Sequence, residues 1–277
     1  MSRLSISNLA WNVSEDEEIA QVLARLGINA IDVAPSKYFP VISDASTHQI
    51  LEVRNCWQER GFDIVGMQSL LFGKRELNIF GSADERRMLL EHLKHVCRIG
   101  AGLGARRLVF GSPRNRDASG IEADMAHDIA GEFFLALGSI ASVYGVTICI
   151  EANLPSAGCN FLINTEEAAS FVRELSHLAI KLQLDTGTIL AGGEELSEAL
   201  VKNIDLIGHV HISEPGLVPA GDAQSSLKDL IRTPEFLTAS QIMTIEMLAT
   251  PSESHAVSVE RAVRWVQSNL FKCRQIR

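Results

Sequence analysis

Short runs rich in β-branched residues alternate eight times with longer segments of helical period. That alternation restricts the chain to folds made of repeated βα units around a parallel sheet. The runs lie at 4–10 (LSISNLA), 28–34 (INAIDVA), 62–68 (FDIVGMQ), 106–111 (RRLVFG), 146–151 (VTICIE), 180–185 (IKLQLD), 207–212 (IGHVHI) and 242–247 (IMTIEM). Helical segments between them carry their own start and stop signals. Ser14 with Glu17 predicts a capping box, Ile19, Val22, Leu23 and Leu26 form an apolar stripe, and Gly27 stands where a left-handed C-terminal cap belongs. Asn164 or Thr165 opens a second helix with Ala168, Phe171, Val172 and Leu175 on one face, and 252–270 reads as another. After the seventh run, GLVPAGDAQSS predicts a long loop and a short helix near 226–232 before Pro234.

Eight strand–helix alternations close into a (β/α)8 barrel or open into a doubly wound sheet. The open fold usually carries a glycine-rich turn after its first strand, and Asn8-Leu9-Ala10-Trp11-Asn12 has none. The expectation is therefore an α/β barrel, one domain over 1–277 with no linker, and an active site at the C-terminal ends of the strands.

Composition excludes several partners. A net charge of −9 with only short basic clusters (Arg86-Arg87, Arg106-Arg107) lacks the broad positive field that nucleic acid requires. No apolar run is long enough to span a bilayer, and MSRLSISNLAW lacks a secretory core, so a cytoplasmic, membrane-free protein is expected. Five cysteines without a C-x-x-C pair fit reduced thiols.

Ligand-type side chains mark the ends of the last four strands: Glu151, Asp185, His211 and Glu246, spaced 34, 26 and 35 residues apart. Each interval is close to one βα repeat, so four successive repeats deliver one such group to the same rim. Each acid taken singly could cap the following helix or pair with a neighbouring base. Three carboxylates together in an apolar mouth would repel one another, and a divalent cation satisfies all of them. Oxygen-rich ligation with one imidazole suits manganese, magnesium or cobalt, with zinc also admissible.

These motifs, IEAN at 150–153, LDTG at 184–187, HVHISE at 209–214 and IEM at 245–247, give the chain a resemblance to the xylose-isomerase-like TIM barrel superfamily of sugar isomerases and epimerases. It resembles the branch holding the ketose 3-epimerases and the type IV apurinic endonucleases. The resemblance implies that Glu151, Asp185, His211 and Glu246 bind one metal. It also implies that Glu151 and Glu246 move protons, through an enediolate, in a metal-dependent sugar or sugar-phosphate isomerase or epimerase. Two departures bear on the substrate. Thr188 stands where ketose 3-epimerases usually have a histidine, and the loop after His211 reads GLVPAG where they have an arginine. The endonucleases' extra histidines and basic surface are also missing.

Further candidates for substrate contact are Arg114 and Arg116 of GSPRNR, as a clamp for phosphate or carboxylate, and Lys74 in the loop MQSLLFGKRELNIF. Gln68 and Asn153 are hydrogen-bonding candidates, each equally readable as polar filling. His209, two residues before His211, points one layer deeper and ranks below it as a ligand. Trp11, Tyr38 and Phe39 either wall the pocket or pack under loops. A lyase or dehydratase acting on a keto-polyol or sugar acid is the second reading of the same residues, and a non-catalytic sugar-binding barrel the third. Association into homo-oligomers is left open.

Overall fold

The computed structural model describes residues 3–223, 225–231 and 242–270. Eight parallel strands close on themselves in sequence order: β1 Arg3–Ser7, β2 Ala30–Val33, β3 Asp63–Met67, β4 Arg107–Phe110, β5 Thr147–Glu151, β6 Ile180–Asp185, β7 Ile207–Ser213 and β8 Ile242–Glu246. β8 pairs with β1 from Arg3–Ile242 to Ile6–Ile245, which closes the ring. The strands are buried nearly throughout, because helices cover one face and the barrel interior the other. This burial produces the near-continuous apolar runs seen in the sequence.

Helices α1 Asp16–Arg25, α2 Thr47–Glu59, α3 Ala83–Leu103, α4 Ala123–Tyr144 and α5 Thr165–Leu175 follow the first five strands. Two shorter helices, α6 Thr186–Gly192 and α7 Leu196–Asn203, follow β6. After β7 comes α8 Leu227–Leu230, inside the expected 226–232, of which residue 232 lies outside the described residues. A helix at His255–Leu270 follows β8.

Two local expectations shift. The first strand ends at Ser7, and Asn8–Ala10 turn into a short 3-10 helix because the Ser7 hydroxyl accepts from the Leu9 N–H (3.2 Å). The reciprocal cap before α1 uses Asn12 and Glu15 in place of Ser14 and Glu17, the Glu15 carboxylate accepting from the Asn12 N–H at 2.8 Å. Gly27 takes the left-handed conformation (φ +71°) that its place after α1 called for.

Part of the barrel interior is polar. Asp32, His209, His211 and Thr244 are all fully buried there, with Ser5 bonded to Thr244. Asp32 Oδ2 accepts from His209 Nε2 at 2.7 Å, and the Thr244 hydroxyl lies 3.2 Å from the same nitrogen. Gly66, paired with Asp32 across β2 and β3, makes room for the carboxylate, since a Cβ there would stand 2.4 Å from Asp32 Oδ2. Burial opposes ionisation of Asp32, but the flanking His209 and His211 outweigh it and hold the carboxyl well below the usual range. Asp32→Ala would leave the buried His209 without its carboxylate and His211 with Glu246 alone, and chemical unfolding should show a loss of about 3–5 kcal/mol.

Candidate active site

A cavity of about 630 Å³ opens at the C-terminal ends of the strands. Glu151, Asp185 and Glu246 are among its lining residues, and strand register explains how they meet. Asp185 pairs with His211 across β6 and β7, and Ser213 pairs with Glu246 across β7 and β8. One ligand atom each from Asp185, His211 and Glu246 lies within 4.8 Å of the others.

Each member of this trio is held by the chain. Asp185 accepts from the Thr188 N–H at 2.7 Å as the N-cap of α6, and from the Ser213 hydroxyl at 2.6 Å. The Ser213 hydroxyl in turn accepts from the Gly187 N–H at 2.8 Å. His211 turns Nδ1 to Glu246 Oε2 at 3.1 Å, and its Nε2 lies 3.7 Å from Asp32 Oδ2. The imidazole thus stands between two carboxylates, one in the cavity and one in the barrel core.

Glu151 stands on the same rim but outside that 4.8 Å group. Its carboxylate lies over Gly111, where a Cβ would come within 1.7 Å of Oε2. Only a residue without a side chain at 111 permits this placement. Gly111→Ala should displace the carboxylate and, if Glu151 moves protons, lower turnover by roughly 10²-fold, with an unchanged circular dichroism spectrum excluding a folding defect.

Burial raises the Glu151 pKa well above its ordinary value, and Asp185 and Glu246 raise it further against the weaker pull of His211 and Arg116. Asp185 is also raised, first by burial and then by Glu246. Burial alone would make His211 harder to protonate, but Glu246 and Asp32 reverse this and raise its pKa well above the ordinary imidazole value. Glu151 and Asp185, gathered with Glu246 near one imidazole, are therefore under charge stress. A divalent cation relieves it, and the His211–Glu246 separation suits two donors sharing either a proton or an ion. The donor set fits such an ion.

The other candidates separate into those at the cavity and those away from it. Gln68 and Asn153 line it. Gln68 Nε2 donates to Ser7 Oγ at 2.6 Å. Arg116 does not line it. The residue is fully buried behind Asn153 and donates from Nη2 to Asn153 Oδ1 at 2.7 Å. A guanidinium has only donors, so it fixes the amide with its oxygen inward. Arg114 is exposed and Lys74 half-buried, and neither is among the lining residues. His209 lies deeper, on Asp32. Trp11, Tyr38 and Phe39 pack under loops, Trp11 Nε1 donating to Asp16 Oδ1 at 2.8 Å and Tyr38 OH to Asp16 Oδ2 at 2.9 Å.

Three residues went unweighed in the sequence. Asp32 is an acid in the middle of an apolar strand, which itself signals a partner, because a buried charge is otherwise expelled. Ser213 and Glu214 sit inside the HVHISE motif. Glu214 lines the cavity, accepting from the Gly221 N–H at 2.9 Å and from the Ser225 hydroxyl, and so ties down the loop after β7.

Similar folds occur among solved structures. A D-psicose 3-epimerase from Clostridium cellulolyticum H10, solved with D-tagatose, superposes with a TM-score of 0.79 at 15% identity, covering 97% of this chain and 99% of that one. A 3-keto-D-glucoside 4-epimerase from E. coli gives 0.74 at 16%, covering 97% and 100%. The IOLI protein with a bound zinc atom gives 0.75 at 16%, covering 98% of each. Among curated proteins, no sequence matches this chain. The model of the xylose isomerase-like TIM barrel family matches residues 20–268, nine-tenths of the chain, and the chain belongs to that family.

Proposed function

We propose that this chain is a divalent-metal-dependent isomerase or epimerase of a keto-sugar, with Glu151, Asp185, His211 and Glu246 as the residues that hold the ion. The observation carrying this reading is the convergence of two glutamates from strands β5 and β8 on one cavity, with Asp185 and His211 between them in the strand order. A bound divalent cation supplies polarisation of the substrate carbonyl, which acidifies the adjacent C–H. Manganese, magnesium, cobalt and zinc all remain compatible with the donors. The solved structures named above act on keto-sugars or hold a metal by their own titles, which supports the reading without carrying it.

The chain's residues do the rest. Glu246 takes the proton from the carbon beside the carbonyl, and Glu151, whose proton affinity burial and the neighbouring acids raise, passes a proton taken up from solvent to the substrate from the other side, the proton on Glu246 then returning to solvent. Delivery to the same carbon on its opposite face gives the epimer, and delivery to the neighbouring carbon of the enediolate gives the isomer. Asp185 and His211 hold the ion and move no proton to substrate. Gln68 and Asn153 hydrogen-bond to the sugar hydroxyls.

Turnover in D₂O tests the class of reaction. One solvent deuteron should enter the substrate at the carbon beside the carbonyl, with no loss of water. Release of water with formation of an unsaturated or deoxy product would instead make the protein a lyase. Binding without any exchange would make it a non-catalytic receptor.

A further inference from the structure

We infer that the cavity selects an uncharged keto-sugar bearing an apolar substituent, the sugar on the carboxylate floor and the substituent against an apolar collar at the mouth. This rests on the keto-sugar reading above and narrows it.

Charge argues first. Four acidic residues line the cavity, Glu151, Asp185, Glu246 and Glu214, the last with its carboxylate on the Gly221 N–H and the Ser225 hydroxyl, while no lysine or arginine does so among the described residues. A divalent ion offsets only two negative charges. The basic residues that a phosphate clamp would need are placed elsewhere. Arg114 is exposed, Lys74 is half-buried off the lining, and Arg116 is fully buried behind the wall, off the lining, with its Nη2 on Asn153. A phosphorylated or carboxylated sugar would enter a field of its own sign with no fork to receive it.

Shape and surface argue second. About 630 Å³ is more than one sugar ring fills and falls in the range of drug-sized ligands. The remaining wall is formed largely by Leu70, Leu71, Phe72, Leu154, Leu217 and Leu248. Phe72 is 75% exposed, the one exposed Phe, Tyr or Trp among the described residues, and Leu248 is 47% exposed. Large apolar groups gathered in solvent around a cavity mouth mark a surface that a ligand covers.

Backbone conformation at the collar supports the same conclusion. Leu217 is in the left-handed region at φ +54°, which is costly for a branched side chain. Its N–H donates to Glu214 O and its carbonyl accepts from the Leu248 N–H, each at 2.9 Å, so the conformation is held from both sides. Two leucines of the collar are thereby fixed to each other and to the cavity acid Glu214. A free, fully hydroxylated ketose would leave this surface in water, whereas a glycoside with an aromatic aglycone would cover it.

Calorimetric titration of the full chain loaded with Mn²⁺ separates these ligands, using two matched pairs. In the first pair, D-fructose 6-phosphate should bind at least about tenfold more weakly than D-fructose, the cost of placing a phosphate in a cavity lined by acidic residues and no basic one. In the second, phenyl 3-keto-β-D-glucoside should bind at least about tenfold more tightly than its methyl counterpart, the gain from burying the ring. In Phe72→Ser the phenyl-to-methyl ratio should fall towards one. Equal or tighter binding of the 6-phosphate, or no advantage of phenyl over methyl, overturns the inference while leaving the keto-sugar reading intact. If Mn²⁺ binds and none of the four sugars does, the keto-sugar reading itself fails, and this inference with it.

Discussion

Glu246→Gln should lower keto-sugar turnover by roughly 10³-fold at saturating metal, within the span seen when a positioned general base is removed, while substrate affinity changes little. The glutamine keeps the size of the side chain and can still meet His211, from which Glu246 Oε2 is 3.1 Å away, so the fold survives. What it loses is the ability to accept a proton from carbon. Glu151→Gln should be comparably inactive, but with an opposite effect on the metal-free protein. Burial and the nearby Asp185 and Glu246 favour the neutral form of Glu151 there, and an amide mimics that form without titrating. Metal-free Glu151→Gln should therefore melt at or above the wild-type temperature at neutral pH. Loss of turnover with a gain in stability would separate a proton-moving group from a structural one.

The second large effect is the response of stability to the ion and to pH. In the metal-free protein burial raises the carboxyl pKa values of Glu151 and Asp185, and neighbouring acids raise them further, Asp185 and Glu246 acting on Glu151 and Glu246 on Asp185. A raised native pKa means that the folded state holds protons that the unfolded chain has released. Stability from these groups is therefore full below the ordinary carboxylate pKa of about 4, and is lost as pH rises towards the native values. The imidazoles act in different windows. Burial lowers His209, which therefore adds stability as pH rises towards the ordinary imidazole value of about 6.5 and offsets part of the loss from the two carboxyl groups, whereas His211, raised by Glu246 and Asp32 despite its burial, adds its own loss above that value. Metal-free protein should accordingly melt at progressively lower temperature as pH rises from about 4.5 to 6. Ion binding needs the deprotonated ligands, so its stabilisation grows over the same range. At a hundred times its dissociation constant an ion adds about 2.7 kcal/mol. Calorimetry at pH 6 in buffers of different ionisation enthalpy should register proton release on binding. A metal-free melting temperature that rises across this window would mean that the carboxyl groups are not under the strain described.

The parallel barrel is readable in the sequence because strands buried on both faces must be apolar almost throughout, which leaves their polar ends conspicuous. Glu151, Asp185 and Glu246 stand out for that reason, each as the terminal residue of its strand. Asp32 is harder to read, since its partner His209 is 177 residues away and nothing local joins them. The cap before α1 shows another limit. Asn12-x-x-Glu15 and Ser14-x-x-Glu17 fit the same pattern, and the choice falls to a distant contact, His255 Nδ1 at 2.6 Å from Glu15 Oε2. In GSPRNR the side-chain directions come from Asn115, whose amide donates at 2.6 Å to both Lys74 O and Leu77 O and binds this loop to the one after β3. Arg116 is thereby turned inward behind Asn153 and Arg114 left in solvent, an outcome the order of letters does not contain. The room that Gly111 leaves for Glu151 becomes legible only once β4 and β5 are paired, Phe110 against Ile150.

The central claim is that one divalent ion is held by residues from four successive strands. The direct measurement is metal content and affinity, by elemental analysis and by competition with a chelator, on wild-type protein and on folded Asp185→Asn and His211→Gln. Wild type should hold about one ion per chain, and each variant should lose binding by roughly 10²-fold or more. One ion retained at wild-type affinity in both variants, or a wild-type protein that binds none, would contradict the account.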